Sequence, residues 1–534
     1  MSLSRVPNVW IGGLNPKSLQ TGAVKPHFFA MNRSGARQMP RNSLDALPEV
    51  FVSTTDLSGL VSRGVRQGQL RQIGSKLYTK NLDDAPEQIV RRQLWPLVAA
   101  YVPGAVIADR TAIENAPAAD GSIFVIADRK RDIELPGITI RPRRGPGPTD
   151  DDKPFIGDLF LSSTARAYLD NMAVSRRRGG EVSRTLSREE VETRLDDLIR
   201  RNGDEAANRL RDEARRIAPA IGREAEFAAL DKLIGALLGT REEPLQTDRA
   251  QARHAGAPYD PGRLDLFDRL RRELRDTAPV TRLARERDTE GRTTLAFFEA
   301  YFSNFIEGTE FEVSEAADIV FDNVIPRDRP ADAHDILGTW RLVSDRTELS
   351  RTPRDAGQLS DLLKRRHATL MAGRPDKDPG TFKRAANRAG QTVFVDPAHV
   401  EGTLARGFDL YRSLETPFAR AVFMMFMISE THPFADGNGR IARIMMNAEL
   451  LAAGEERVII PTIYRSNYLS ALKALSNVQN PTPLVRTLDF AQRWVAAVPW
   501  GELNATRTLL TATHAFMDPA EADDQGIRLK LPEA

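Results

Sequence analysis

The sequence predicts a multidomain, mainly α-helical protein, and three observations lead there. Its 534 residues correspond to about three or four domains at roughly 150 residues each. Helical periodicity dominates from about residue 263 to 500, and β-like runs are short, falling at 70–79, 123–126 and 138–140. The composition, 41% hydrophobic and 28% charged, is that of a globular protein and excludes a disordered, collagen-like or coiled-coil chain. Cysteine is absent, which removes disulfides, thiolate metal sites and cysteine nucleophiles. The first residues lack the apolar core of a signal peptide. The longest apolar run, 421–428, is too short to span a bilayer. A cytoplasmic setting with no membrane partner is expected, and nothing in the sequence indicates an oligomeric state.

The elements follow in order. Residues 1–45 read as a flexible basic lead-in. Residues 1–80 carry eleven Lys/Arg against three Asp/Glu, a local excess that suits an anionic partner. Residues 46–82 read as a winged-helix-like module. Thr55 or Asp56 caps a helix with Leu57, Leu60 and Val61 on one face, Gly64 breaks it, and Leu70–Thr79 forms a hairpin around Gly74 and Ser75. Arg63, Arg66, Arg71 and Lys76, with Lys80, are the candidate DNA contacts, because phosphate contacts are made by such helix and wing residues. The stretches GQLRQIGSKLYT (68–79) and AVIADRTAIE (105–114) resemble the N-terminal part of AbiEi-type antitoxin regulators. That resemblance implies a winged helix followed by a small α/β domain, and DNA binding or a protein-docking descendant of it.

Residues 83–172 are expected to be that small α/β domain, with an Arg/Leu-rich helix near 86–101. Residues 173–262 read as a helical connector with linkers at 175–184 and 240–262. Within it Ser187 and Glu190 form a capping-box pattern before a helix carrying Val191, Leu195, Leu198 and Ile199 on one face. Residues 263–500 form the main helical domain, and 501–534 read as a tail.

The chemistry concentrates in residues 429–454, SETHPFADGNGRIARIMMNAELLAAG, a polar loop between two apolar helices. Gly437 and Gly439 let the backbone approach an anion, and the following helix offers its N-terminal partial charge to it. Arg440 and Arg443, three apart, can share a face and reach phosphate oxygens. Asp436 supplies a hard carboxylate for magnesium, and Asn438 can donate to a phosphate oxygen. His432 has the unperturbed pKa of a base at neutral pH, and Phe434 is expected to anchor the loop in the core.

His432 through Arg443 resembles the Fic family motif H-x-F-x-[D/E]-G-N-G-R-x-x-R at every position. The resemblance implies a helical bundle with a short β-hairpin flap over roughly 290–500, and transfer of AMP from ATP to a hydroxyl of a target protein. By it, His432 is the base, Asp436 holds Mg2+, Gly437, Asn438 and Gly439 cradle the phosphates, Arg440 binds the β-phosphate and Arg443 the γ-phosphate. Glycine at 439 also favours the AMP-transferring branch over the phosphotransferase-like branch resembling Doc, which has Lys there. QTVFVDPAHV (391–400) resembles the family's target-holding flap, giving Val393, Phe394 and Val395 as strand-addition residues; Asp396-Pro397 stands where the family often has Pro-Pro. Tyr468 is either a contact to adenine or a core tyrosine.

Ser303 through Gly308, within the apolar helix 293–308, resembles the family's inhibitory motif [S/T]-x-x-x-E-[G/N]. It implies that Glu307 pairs with Arg443 in a bidentate contact and keeps ATP from binding productively. A carboxylate at a helix C-terminus opposes the macrodipole, so a further partner is expected to compensate. The resulting expectation is an autoinhibited protein adenylyltransferase using ATP and Mg2+, with a Ser, Thr or Tyr hydroxyl of a partner protein, or of this chain itself, as acceptor. The alternatives are a DNA-binding regulator whose Fic part senses nucleotide, and a de-AMPylase or a transferase using another nucleotide.

Overall fold

The computed structural model describes residues 44–175, 182–278, 281–390 and 392–532. The expected lead-in, apart from its last two residues, and most of the expected linker at 175–184 lie outside them. The chain divides into two units, Met1–Tyr101 with Glu134–Gly137, and Val102–Ile133 with Ile138–Ala534.

In the first unit, strands Val50–Val52, Leu77–Thr79 and Arg71–Gly74 form an antiparallel sheet in that spatial order. The hairpin at Gly74 and Ser75 stands where the sequence puts it. Before it come two 3-10 turns, Leu44–Ala46 and Thr55–Leu57, and one α-helix, Ser58–Arg66, so a full helix-turn-helix is not seen among the described residues. Gly64 does not break the helix. It is buried within it, and a Cβ there would press on Leu70; the chain turns instead at Gly68, with φ 69°. The expected 86–101 helix is two, Pro86–Arg92 and Leu94–Tyr101, because Pro96 cannot donate the N–H that would continue the first. Arg92 pairs with Glu49 at 3.0 Å and Tyr101 donates to the Ser75 carbonyl at 2.6 Å. These ties carry the unit past the expected boundary at 82.

The second unit opens with a mixed sheet running Ile138–Arg143, Ser122–Ile126, Val106–Ile107, Phe160–Leu161, Lys153–Pro154. Helices then take over. Ser187 Oγ accepts from the Glu190 backbone at 3.2 Å and Glu190 Oε2 accepts from the Ser187 backbone at 2.7 Å, the expected capping box, at the head of Arg188–Asn202. The expected linker 240–262 contains a helix, Asp248–His254, invisible to periodicity because its buried face is two alanines. Arg249 and Arg253 hold it to Asp196, at 2.5 Å each.

Two apolar cores position the site. One surrounds the antiparallel-running pair Pro417–Thr431 and Asn438–Ala452, with Val422 to Ile428 fully buried. The other surrounds Thr289–Ile306, whose Phe297, Phe298, Tyr301 and Phe302 meet Trp494, Trp500 and Phe516. The expected tail is part of this second core. Helix Leu503–Ala512 and the residues to Leu529 bury Leu510, Ala515 and Ala522, and Phe516 stacks on Phe302 at 5.3 Å. Its charge pattern resembles a tail; its few apolar side chains are enough to dock it.

Helix Pro330–Ser344 crosses Ala356–Leu370 at Gly338, where a Cβ would overlap the Leu370 carbonyl. Gly338→Ala is expected to cost about 2–3 kcal/mol by overpacking a backbone contact that cannot yield, measured as a lowered chemical-denaturation midpoint at unchanged slope.

Candidate active site

His432 ends helix Pro417–Thr431 in the left-handed conformation, φ 51° and ψ 59°. That backbone costs of order 1–3 kcal/mol in a non-glycine residue, and the loop is tied firmly enough to hold it. Asn438 Oδ1 accepts from the Phe434 N–H at 2.8 Å, and its Nδ2 donates to the Phe434 carbonyl at 2.9 Å. Phe434 is fully buried, the expected anchor. It stacks on His367 with ring centroids 3.7 Å apart. Sequence reading passed over His367. Gly380 N–H donates to its Nδ1 at 2.9 Å, so its Nε2 carries the proton and donates to the Asp436 carbonyl at 3.1 Å. A histidine 69 residues upstream of the loop gives no local signal. Asn438 is thus spent inside the loop, its side chain turned to Phe434 and not to open space.

The His432 imidazole has its Nδ1 3.1 Å from the Ser429 carbonyl. A carbonyl only accepts, so Nδ1 carries the proton and Nε2 keeps a free lone pair. Burial pushes the imidazole pKa down to about 4, so the ring is neutral at physiological pH. This is the protonation state and tautomer a general base needs.

The two arginines, three apart in sequence, diverge. Arg440 is buried and its Nη1 lies 2.9 Å from Asp335 Oδ2, an oxygen that Arg374 Nη2 shares at 2.7 Å. Arg443 turns to the Thr289–Ile306 helix. Its Nη2 donates to Glu307 Oε1 at 2.8 Å and to the Ser303 carbonyl at 2.7 Å, and its Nε donates to Ser303 Oγ at 3.0 Å. The Glu307 contact is therefore single and not the expected bidentate one. Ser303, one turn earlier on the same helix, takes the other donors. Glu307 caps the helix C-terminus, Gly308 follows with φ 91°, and Arg465 Nε donates to the Ile306 carbonyl at 3.0 Å. Arg443 and Arg465 together supply the cationic compensation that the macrodipole demands there. A side chain at Gly439 would overlap Glu307 Oε1: the carboxylate lies against the first turn of the Asn438–Ala452 helix. Gly437, with φ 72°, caps that helix.

Asp436 is 45% exposed in its side chain, with Oδ1 accepting from the Gly437 N–H at 2.6 Å. Among the described residues no three His, Asp or Glu form a metal-holding group. One open carboxylate nevertheless suits magnesium, which is commonly held by one or two carboxylates, substrate phosphates and water.

The expected flap contains a hairpin, Arg388–Ala389 paired with Thr392–Val393; Gln391 lies outside the described residues. Val393 is 62% exposed and Val395 fully buried. Phe394 lies face to face on His432, ring centroids 3.7 Å apart. Tyr468 is buried in the core, its hydroxyl 3.3 Å from Met425 Sδ and its ring under Arg443. In the first unit, Arg63 and Arg66 are exposed, with Nε turned to carbonyls of their own helix. Arg71 donates to the Asp84 carbonyl at 2.6 Å and Lys80 to the Leu47 carbonyl. Lys76 occupies the hairpin turn, with φ 55°.

Residues 358–450 match the sequence model of the Fic/DOC family. The match covers the flap and the 432–443 loop; Ser303, Glu307 and Tyr468 lie outside it. Among curated relatives, the chain is 27% identical over 245 residues to Protein adenylyltransferase Fic of Drosophila willistoni, 44% of this chain and 48% of that one. It is 28% identical over 245 residues to the Drosophila persimilis protein of the same name, covering 44% and 47%. The chain thus spans about half the length of the curated relatives it matches. A solved Fic-domain-containing signalling protein from Bacteroides thetaiotaomicron aligns at 19% identity over 46% of this chain and 98% of its own, with TM-score 0.35. No helix among the described residues is long and apolar enough to cross a membrane.

His432 and His367, the latter on helix Ala356–Leu370, set a pH dependence. Burial also pushes His367 down to about 4. Both rings are neutral when folded and titrate near 6.5 when unfolded, so between those values the unfolded state binds more protons. Stability is expected to fall as pH drops from about 6.5 to about 4. Denaturation at pH 7.5 and pH 5 measures it, and Asn438→Ala, which leaves the buried Phe434 N–H without its acceptor and takes one of two side-chain donors from the Phe434 carbonyl, should cost a further ~1–3 kcal/mol at either pH.

Proposed function

We propose that this chain is a protein adenylyltransferase that moves AMP from ATP to a Ser, Thr or Tyr hydroxyl of a protein, and that Glu307 holds it off. The observation that carries the reading is a neutral imidazole, His432, with its Nε2 lone pair free, beside a helix N-terminus whose arginine is paired with Glu307. The similarity of the 245-residue stretch to proteins named adenylyltransferases supports the choice of AMP as the group transferred.

In this reading the target's hydroxyl gives its proton to His432 Nε2 as its oxygen attacks the α-phosphorus. The new P–O bond forms as the bond to the β-phosphate oxygen breaks, and pyrophosphate leaves with both electrons. The protein makes no covalent bond, so positioning and charge carry the rate. Arg440, oriented by Asp335, takes the β-phosphate, and Arg443, once freed from Glu307, takes the γ-phosphate. Backbone N–H groups of the first helical turn, at Asn438 and Gly439, would meet the anion, while the Gly437 N–H holds Asp436 Oδ1 and the Asn438 side chain keeps the loop closed on Phe434. Asp436 would hold magnesium, which when bound neutralises charge on the phosphates. The flap strand Thr392–Val393 pairs with an extended target segment. The brake acts by competition: the Glu307 carboxylate lies where phosphate oxygens would, and it satisfies Arg443.

DNA binding by residues 46–82 is the alternative reading; Arg71 and Lys80 donate to carbonyls of their own unit, so it would fall first to the exposed Arg63, Arg66 and Lys76. The acceptor is sought among proteins, this chain included.

Glu307→Gly is expected to raise incorporation of label from α-labelled ATP into protein at least tenfold, with none from γ-labelled ATP. Adding His432→Ala should reduce it by about 10²–10⁴. Label from the γ position, or undiminished transfer without His432, would overturn the reading.

A further inference from the structure

Phe394 belongs by position to the flap, but its ring does not face outward with Val393. Successive strand side chains point to opposite sides. Val393 takes the open side, and Phe394 lies flat on the His432 imidazole, ring centroids 3.7 Å apart and planes within 4°. Val395, next along, is fully buried in the bundle core. The hairpin is thus fixed at its base while one ring reaches the candidate base.

The backbone ties are equally direct. The Phe394 N–H donates to the Asn387 carbonyl at 3.2 Å. Asn387 Nδ2 donates to the Phe434 carbonyl at 3.0 Å, and Asn387 Oδ1 accepts from Lys383 Nζ at 2.7 Å. The Lys383 N–H donates to the Pro433 carbonyl at 2.8 Å. Arg263 donates to the Val393 carbonyl and pairs with Glu430 at 3.1 Å, two residues before His432. The flap strand and the loop are therefore braced from both sides, and a displacement of one is felt by the other.

His432 itself has two restraints. Its Nδ1 is held by the Ser429 carbonyl at 3.1 Å, which fixes a point but leaves the plane free to swing about that bond. The Phe394 ring fixes the plane. Together they set where the Nε2 lone pair points. We propose that Phe394 is a positioning residue that couples target docking on the flap to the orientation of the His432 imidazole. The proposal rests on the transferase reading above. A target strand pairing along Thr392–Val393 would fix the backbone that carries Phe394, so the base is held best when an acceptor is present. The stack also keeps water from one face of the imidazole, consistent with the low pKa that burial gives it. The charged groups acting on that ring are Lys383, from the segment before the flap, Glu307, from the end of the Thr289–Ile306 helix, and Asp436, from its own loop.

Two readouts test it, the first independent of activity. In nucleotide-free protein, the His432 imidazole, assigned by its loss in His432→Gln, is followed by NMR between pH 5 and 7.5. The parent ring is expected to stay neutral throughout. In Phe394→Ala it should titrate within that window, a rise of about two units toward the ordinary imidazole value as water reaches the ring. Phe394→Tyr, which keeps the stack, should behave as the parent. In the Glu307→Gly background, Phe394→Ala should lower kcat for AMP transfer at least tenfold with KM for ATP within about twofold, and Phe394→Tyr should restore it. An unchanged titration together with an unchanged kcat overturns the proposal. So does a rise in kcat, which would make Phe394 a gate over the base. A Glu307→Gly parent with no transfer at all counts against the transferase reading, and the NMR arm then decides the stacking role by itself.

Discussion

One buried cation organises the site. Arg443 is almost wholly enclosed, and an enclosed guanidinium must have its donors filled, because an uncompensated buried charge costs several kcal/mol. Here Ser303 and Glu307 fill them, and they lie one turn apart at the end of a helix that packs into both cores, with Ala296, Ala300 and Ile306 in the core around Arg443's helix and its aromatic face in the other. The contact therefore ties the end of that shared helix to the start of the helix carrying Arg443. It also makes the site bistable in principle. In the proposed reading an anion at this helix start would replace Glu307 on Arg443, but only by offering the same guanidinium equally good acceptors. A polyphosphate has them.

The strength of that hold depends on features far from the loop. The helix carrying Glu307 is fixed by its aromatic face, where Phe297, Phe298, Tyr301 and Phe302 pack among Trp494, Trp500 and Phe516. Each such burial contributes roughly 1.5–3 kcal/mol. Only the last turn, from Ser303 to Gly308, reaches the site. A well-packed body with a polar, solvent-reachable end is a geometry in which the tip can be displaced without unfolding the helix. Arg465, on the Ile306 carbonyl, and Arg443 offset the negative end of that helix and let a carboxylate sit there.

Much was legible along the chain. The capping box at Ser187, the hairpin at Gly74, the end of the 289–306 helix at Gly308 and the loop between two apolar helices all depend on local rules: a side chain meeting a backbone group three residues away, a glycine taking positive φ, an apolar period. Where local rules were ambiguous the reading slipped. Gly64 is small because Leu70 packs on it, not because the chain turns there. Residues 503–529 have the composition of a tail, yet a few side chains dock them on Phe298 and Phe302. The helix at 248–254 has no apolar period to detect, since ion pairs to Asp196 hold it.

By itself the sequence determined which chemical groups stand in the loop, their spacing, and the presence of a glutamate one turn after a serine at the end of an apolar helix. These are properties of neighbours in the chain. Only the tertiary structure decided what each group faces. It sends Arg440 to Asp335 and Arg443 to Ser303 and Glu307, although the two are three residues apart. It turns Asn438 inward onto Phe434, places His367 beneath the loop, and lays Phe394 on His432. The reason is physical. Direction of a long side chain is set by which buried partner can satisfy it, and those partners come from helices that the chain brings together only on folding.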